Sequence, residues 1–216
     1  MLELKSISKS YALRGNKLNV LKGIDLSIQP GQKLAILGRN GSGKSTLIRI
    51  IGGIESPDAG MVRSSMSISW PLGYSGGMQG SLTGLDNIHF LCRIYQSDRI
   101  KVRQYVENFA ELGKFLHEPV KTYSSGMRGR LAFALSMAFD FDCLLIDEGL
   151  SAGDARFTER CRIALEERKN KAILMVSHSQ NSVRQFCNEA AVLQEGKLYR
   201  FNQMNDAYAF YEGRLQ

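Results

Sequence analysis

The residues with the clearest chemical meaning form a phosphate-binding pattern in the first quarter of the chain. Residues 38–45 read GRNGSGKS and fit G-x-x-x-x-G-K-[ST] without a mismatch. Glycines let such a loop approach a phosphate closely, and its amides then point at the anion. Lys44 is expected to neutralise the β- and γ-phosphates, and the Ser45 hydroxyl to bind Mg²⁺. The predicted nucleotide-binding residues here are Gly38, Arg39, Asn40, Gly41, Ser42, Gly43, Lys44, Ser45 and Thr46.

A strand and a helix must hold this loop. Residues 34–37 form a short apolar run, typical of a buried parallel strand. Residues 46–51 resume with apolar positions at helical spacing. This order places the phosphate at a helix N-terminus, where the helix dipole favours an anion.

Two later apolar strands end in residues that could act on the same phosphates. Residues 141–146 are followed by Asp147 and Glu148, and residues 172–176 by Ser177 and His178. The carboxyl ends of parallel strands line the ligand crevice of an open α/β sheet. There Asp147 suits a Mg²⁺ ligand and Glu148 a general base. We interpret His178 as a candidate because its strand ends beside the same crevice.

Two weaker signals have a structural and a functional interpretation. Ser124, Ser125 and Gly126 open a long apolar helix that reaches residue 139, where they could cap the helix or hold an anion. Tyr11 follows a predicted strand in a polar, glycine-containing loop, where its ring could pack or stack on adenine.

The remaining patterns predict an antiparallel β-layer beside a parallel core, and a helical block in the middle third. Apolar alternation or runs predict strands, and helical spacing predicts helices. The predicted strands are 2–8, 18–28, 61–69, 190–194 and 197–201, and the predicted helices are 85–95, 98–112, 155–168 and 204–212. A glycine-rich stretch from Trp70 to Gly84 is expected to move or to lie against another surface.

Composition narrows the function classes. The chain has 216 residues, of which 44% are hydrophobic, and a net charge of +7. No stretch approaches the roughly 20 apolar residues of a membrane span, and the N-terminus lacks the apolar core of a signal peptide, which together predict a cytosolic chain. The 4 cysteines lack C-x-x-C spacing, which favours reduced structural thiols. Basic residues are scattered among acidic ones, so we expect no nucleic-acid partner.

Taken together, these motifs resemble the ATPase subunit of ABC transporters across essentially the whole chain. The resemblance implies ATP and Mg²⁺ as cofactors and an α/β P-loop NTPase fold. That fold has a parallel-sheet core, an antiparallel β-subdomain and an inserted α-helical subdomain at about 70–140, within a single domain spanning 1–216. The matching motifs are Tyr11 as the adenine-stacking aromatic, 38–46 as Walker A, 124–127 as the signature, 143–148 as Walker B with the catalytic glutamate, 151–154 as the D-loop and His178 as the switch histidine.

The resemblance also assigns roles to individual residues. Lys44, Glu148 and His178 are the implied catalytic residues. Ser45, Asp147 and the Q-loop candidate Gln79 are the implied Mg²⁺ residues. Ser124, Ser125 and Gly126 are implied to contact the nucleotide held by a second copy of the chain, in a head-to-tail homodimer.

Departures from the family pattern narrow the resemblance. The signature reads YSSGM instead of LSGGQ, the D-loop carries Gly153 where leucine is usual, and the context of Gln79 is atypical. YSSGMRGRLAFA and DEGLSAGDARF are similar to ATPases that export capsular polysaccharide in Gram-negative bacteria. The implied function is the motor of an exporter that moves lipid-linked capsular polysaccharide across the inner membrane. The motor would lie on the cytoplasmic face, with a membrane permease and envelope-spanning export proteins as partners.

The same sequence features bear on several other kinds of ATPase that share these motifs. An O-antigen or teichoic-acid-type polysaccharide exporter is the runner-up, although O-antigen ATPases often carry an extra C-terminal carbohydrate-binding domain. DNA-repair ATPases need a long coiled-coil insertion, ribosome-acting relatives usually have two such domains, and a kinase or GTPase would lack the signature helix. Within the exporter hypothesis we expect residues 70–118 to receive the permease. Trp70 and Tyr74 are candidate groove residues, and core packing is an equal alternative for Trp70.

Overall fold

A computed structural model of the chain describes residues 1–13, 15–147, 154–177 and 180–213. Its strands are β1 (Leu2–Leu13), β2 (Asn16–Ile28), β3 (Lys33–Leu37), β4 (Ala59–Ser64), β5 (Ile68–Pro71), β6 (Cys143–Asp147), β7 (Ala172–Val176), β8 (Glu189–Gln194) and β9 (Lys197–Phe201). Its α-helices are α1 (Lys44–Ile51), α2 (Gly84–Ile94), α3 (Arg99–Ala110), α4 (Ser125–Ala138), α5 (Ala155–Glu166), α6 (Gln180–Phe186) and α7 (Met204–Tyr211). Short 3₁₀ turns lie at Ser75–Gly77, Gly113–His117 and Val120–Thr122.

The chain divides into two units. The first comprises residues 1–71, 141–148 and 169–216, and the second comprises 72–140 and 149–168. The first unit carries the β-sheets, and the second carries the helices α2 to α5. Among the described residues, no helix has the length and apolar character needed to cross a bilayer.

A six-stranded sheet forms the core of the first unit. Its strand order is β5-β6-β7-β3-β8-β9, in which β5 to β8 run parallel and β9 pairs antiparallel with β8. The central strands β3 and β7 are almost entirely buried, as expected for apolar parallel strands covered on both faces. The carboxyl ends of β3 and β6 share one edge of this sheet, which is where the predicted phosphate loop and Asp147 emerge.

The predicted antiparallel layer is a three-stranded sheet in the order β2-β1-β4. Here two sequence predictions are wrong. Tyr11 lies on β1, not in a loop, because β1 continues to Leu13 and pairs Tyr11 with Leu18 of β2. Residues 61–69 form parts of two strands in different sheets, because the Ser64 hydroxyl accepts from the Met66 amide (3.0 Å) and donates to its carbonyl (2.8 Å). That local turn ends β4 before β5 begins.

The second unit is built around an aromatic cluster. Phe133 of α4 lies 5.7 Å from Phe109 of α3 and 6.2 Å from Phe157 of α5, measured between ring centroids. The helices begin at polar caps, as the sequence suggests for Ser124. Thr83 and Asp86 form a reciprocal capping box at the start of α2, which satisfies amides that have no partner inside the helix. The second unit therefore has its own apolar core, to which α5 contributes from outside the predicted helical block.

The edge strand β5 depends on one buried hydroxyl. Ser69 is fully buried, and its Oγ accepts a hydrogen bond from the Leu145 amide at 3.0 Å. The β5–β6 register shifts between Ile68 and Pro71, so the hydroxyl replaces a regular carbonyl partner. This contact fastens β5 to the strand that ends in Asp147.

We predict that Ser69→Ala lowers the free energy of unfolding by about 1–3 kcal/mol, because a buried amide loses its acceptor. Ser136→Ala is the matched control, since Ser136 is equally buried but its hydroxyl donates to the Ala132 carbonyl of its own helix (2.9 Å). That change should cost much less than Ser69→Ala, because a hydroxyl bond to the carbonyl one turn back adds little to helix stability. Urea unfolding of both variants measures the difference, and equal losses would show that the Leu145 amide does not need Ser69.

Candidate functional site

The loop between β3 and α1 has the geometry of an anion cradle. Gly43 caps α1 with φ 104°, a conformation that a residue with a side chain rarely adopts. A Cβ at Gly43 would also lie 2.6 Å from Val20 Cγ1 of β2. Glycine is therefore required both for the turn and for the close approach of β2. The first amides of α1 have no carbonyl partner within the helix, and they form its positive end.

Lys44 folds back across this loop. Its Nζ donates to the carbonyls of Gly38 (2.8 Å) and Arg39 (3.0 Å), and the residue is only 6% exposed. A buried ammonium is costly unless oxygen atoms surround it. The loop carbonyls hold that positive charge at the N-terminus of α1, where a polyphosphate would be neutralised.

The hydrogen bonding of one buried hydroxyl in the loop bears on whether a phosphate fits there. Ser42 Oγ is buried and has no hydrogen-bond partner among the described residues. An unpaired buried hydroxyl is unfavourable, and a phosphate oxygen could accept a hydrogen bond from it. The cradle thus combines a free hydroxyl, a buried cation and a helix N-terminus, which are the groups that an anionic ligand requires.

Two of the predicted Mg²⁺ residues meet at the edge of the sheet. Ser45 Oγ in the first turn of α1 donates to Asp147 Oδ1 at the end of β6, at 3.2 Å. A hydroxyl and a carboxylate side by side are the hard oxygen ligands that Mg²⁺ takes together with phosphate oxygens and water. Gln79 lies in the second unit with an exposed side chain, and its backbone pairs with the Asn87 side chain (2.8 and 3.1 Å). Its role at the metal stays a prediction.

Tyr11 is anchored next to the phosphate loop. Its hydroxyl donates to Glu55 Oε1 at 2.6 Å and lies 3.3 Å from Oγ1 of Thr46, a buried residue in the first turn of α1. Sequence reasoning did not find Glu55, because nothing in the segment after α1 marks this carboxylate as a partner of Tyr11. Stacking of the ring on adenine stays a prediction.

The signature residues sit at the start of α4 in the second unit. Ser124 Oγ accepts from the Met127 amide at 3.2 Å, so the capping interpretation of Ser124 holds. Ser125 and Gly126 follow as the first helical residues, whose amides have no intrahelical acceptor. They could still hold an anion, and that role stays a prediction.

Tyr123 fixes the segment that precedes α4, and sequence reasoning gave it no role. The side chain is buried, and its hydroxyl donates to the carbonyl of Phe115. Burial raises the pKa of Tyr123, while a hydrogen bond from the Gly84 backbone acts in the opposite direction. A Cβ at Gly84 would lie 2.6 Å from the hydroxyl, so a glycine is needed for this contact. Tyrosine at this position thus ties the signature to α2 and to the Gly113–His117 turn.

A second tie joins α4 to the start of α5. Arg130 Nη2 lies 2.6 Å from Asp154 Oδ2, while Asp154 Oδ1 accepts from the Phe157 amide at 2.9 Å. The hydrogen bond from that amide, followed by the charge of Arg130, lowers the pKa of Asp154. One carboxylate therefore caps α5 and fixes the helix that begins with the signature.

Several predicted residues lie outside the described part of the chain. These are Glu148, His178 and the D-loop positions 151–153. Their assignments stay predictions. The described catalytic candidate, Lys44, is placed in the phosphate loop.

Comparison with known proteins assigns the chain to a class. Residues 21–151 match the family model that is described as "ABC transporter". The chain therefore belongs to the ABC transporter family. A solved structure with a TM-score of 0.80 and 25% identity covers 94% of this chain and 99% of its own; it is the ATP-binding cassette MJ0796 in a dimeric, post-hydrolysis state with ADP and Pi. The predicted fold class and the prediction of a transport ATPase are confirmed.

Two similar proteins indicate which kind of ABC transporter ATPase this chain resembles. The capsule polysaccharide export ATP-binding protein CtrD of Neisseria meningitidis serogroup B is 51% identical over 98% of both chains. The ATP-binding protein BexA of Haemophilus influenzae is 49% identical, again over 98% of both chains. The resemblance to capsular polysaccharide export ATPases that the sequence indicates is therefore confirmed.

We predict that Tyr123→Phe lowers the free energy of unfolding by about 1–3 kcal/mol, because the Phe115 carbonyl and the Gly84 backbone lose a buried partner. Tyr199→Phe is the matched control: its ring packs 5.1 Å from Phe210 and phenylalanine keeps that contact, so stability should change little. Urea unfolding measures both variants. A Tyr123→Phe variant as stable as the native chain would contradict the anchoring role of this hydroxyl.

Proposed function

We propose that the chain is the ATP-hydrolysing motor of an exporter that moves lipid-linked capsular polysaccharide across the inner membrane. The observation that carries the ATP site is the meeting of Lys44, Ser45 and Asp147 at one edge of the parallel sheet. The identity of 51% to CtrD and 49% to BexA, each over 98% of both chains, supports the polysaccharide as cargo.

The predicted site residues divide the work of phosphoryl transfer, and two of them, Glu148 and His178, lie outside the described part of the chain. The loop amides and the Lys44 ammonium bind and neutralise the terminal phosphates, and Ser42 donates its unpaired hydroxyl. Ser45 and Asp147 would hold Mg²⁺, which offsets the charge that develops on the transferred phosphoryl group. Tyr11 supplies an aromatic face for the base. Glu148 acts as the general base toward water, and His178 holds the attacking water and the γ-phosphate.

A second copy of the chain completes this site. The Ser125 and Gly126 amides at the start of α4 form a positive helix end without an intrahelical acceptor. In a head-to-tail dimer these amides would contact the γ-phosphate held by the other copy. The dimeric state of the MJ0796 cassette supports the formation of a dimer. Hydrolysis would then open the dimer and drive a permease docked on residues 70–118, at the cytoplasmic face of the membrane, with envelope-spanning proteins carrying the polysaccharide onward.

The cargo is tested in the native bacterium by deleting the gene and restoring it on a plasmid. We predict that deletion removes polysaccharide from the cell surface and that acidic capsular polysaccharide accumulates inside the cell. The wild-type gene should restore export. Lys44→Ala should not, because the phosphates lose their buried cation, whereas the exposed Lys197→Ala should behave as wild type.

The composition of the retained polymer separates the alternatives. Retained O-antigen or a polyol-phosphate polymer of the teichoic-acid type would replace the capsular assignment with the runner-up. An unchanged cell surface in the deletion strain would contradict an export role for this chain.

A further inference from the structure

The carboxylate of Glu55 contacts three groups from two structural elements. Its Oε1 accepts from the Tyr11 hydroxyl at 2.6 Å and lies 3.2 Å from Lys9 Nζ, both on β1. Its Oε2 accepts from Arg49 Nε of α1 at 3.2 Å. Glu55 therefore connects the aromatic side chain on β1 to the helix that begins at the phosphate loop.

We propose that Glu55 is a positioning residue that holds the ring of Tyr11 in the orientation needed to stack on the nucleotide base. This inference rests on the proposed function, in which Tyr11 contacts the base of ATP. Glu55 itself would not touch the nucleotide; it acts through the Tyr11 hydroxyl.

The contacts around Tyr11 support this role. A tyrosine that is held only at Cα can rotate about two side-chain bonds, and fixing its hydroxyl removes that freedom before the ligand arrives. The Tyr11 hydroxyl is held by Glu55 and lies near Thr46 of α1. The Lys9 ammonium lies 5.7 Å from the ring centroid and covers one face, so we expect the base on the opposite face.

The carboxylate that makes the contact is itself fixed. Lys9 Nζ also donates to Ser56 O at 2.7 Å, and the Glu55 amide donates to Arg49 O at 3.3 Å. Burial alone would raise the pKa of Glu55, but the hydrogen bonds from Tyr11 and Lys9, together with the charge of Arg49, lower it. Glu55 is therefore ionised at neutral pH and accepts from Tyr11 as a charged, stronger acceptor.

Two ligands separate positioning of the base from binding of the phosphates. ATP contacts both the phosphate loop and Tyr11, whereas inorganic triphosphate has no base and contacts only the loop. Titration calorimetry of the purified chain with each ligand in the presence of Mg²⁺ gives the two dissociation constants. We predict that Glu55→Ala weakens ATP binding about 3- to 10-fold and leaves inorganic triphosphate binding unchanged.

Tyr11→Phe tests the same hydrogen bond from its other end. It should reproduce the loss of ATP affinity, and the double variant Glu55→Ala, Tyr11→Phe should lose no more than either single variant. Asp58→Ala is the matched control, because Asp58 also pairs with Lys9 (3.5 Å) and accepts from Ser10. Since no hydrogen bond joins Asp58 to Tyr11 in the described contacts, ATP affinity should be retained.

The outcomes distinguish this proposal from the function on which it rests. If Tyr11→Ala weakens ATP binding but Glu55→Ala and Tyr11→Phe do not, Tyr11 stacks without help from Glu55 and the positioning role is overturned. It is also overturned if Glu55→Ala weakens inorganic triphosphate equally, or if Asp58→Ala has the same effect as Glu55→Ala. If Tyr11→Ala leaves ATP affinity unchanged, the base platform and the positioning role fail together.

Discussion

The buried ammonium of Lys44 is the constraint on which the rest of the site depends. Two loop carbonyls hold this charge, and the loop can curve around it because Gly43 adopts a left-handed conformation against Val20. The next residue, Ser45, then reaches Asp147 at the end of β6. The strand order that brings β3 and β6 to one edge of the sheet thus places a hydroxyl and a carboxylate beside the phosphate loop, where the proposed Mg²⁺ would bind.

In the proposed function the second unit has a different task, which is to hold the N-terminus of α4 in place. The Tyr123 hydroxyl fixes the segment before α4, and Asp154 joins α4 to the start of α5 through Arg130. A helix end contributes only partial charges, so its amides must be placed accurately to stabilise a phosphate. Tyrosine at the first signature position therefore replaces the usual leucine with a side chain that also forms hydrogen bonds.

Local patterns predicted much of this structure, and the errors come from strand pairing and side-chain hydrogen bonds that those patterns do not encode. The β7 strand and the β8–β9 hairpin were predicted correctly because apolar runs and turn residues a few positions apart specify them. The break at Ser64 depends on a side-chain hydrogen bond, and the length of β1 depends on its pairing with β2. Glu55 lies 44 residues from Tyr11, and no spacing rule connects a strand tyrosine to a glutamate beyond the next helix.

The central claim is that one chain binds the phosphates and a second chain completes the site with the first turn of α4. Light scattering and phosphate release, measured on one sample of Glu148→Gln with Mg²⁺ and ATP, test it most directly. The account predicts the mass of two chains and release slowed about 10²–10⁴-fold. Adding Gly126→Asp should return the mass to one chain while ATP still binds. The structure has room for this side chain, since a Cβ at Gly126 would lie 4.0 Å from Ser124 Oγ, the nearest atom outside its chain neighbours and the helix backbone. A Glu148→Gln chain that stays single and releases phosphate at the wild-type rate would contradict the account.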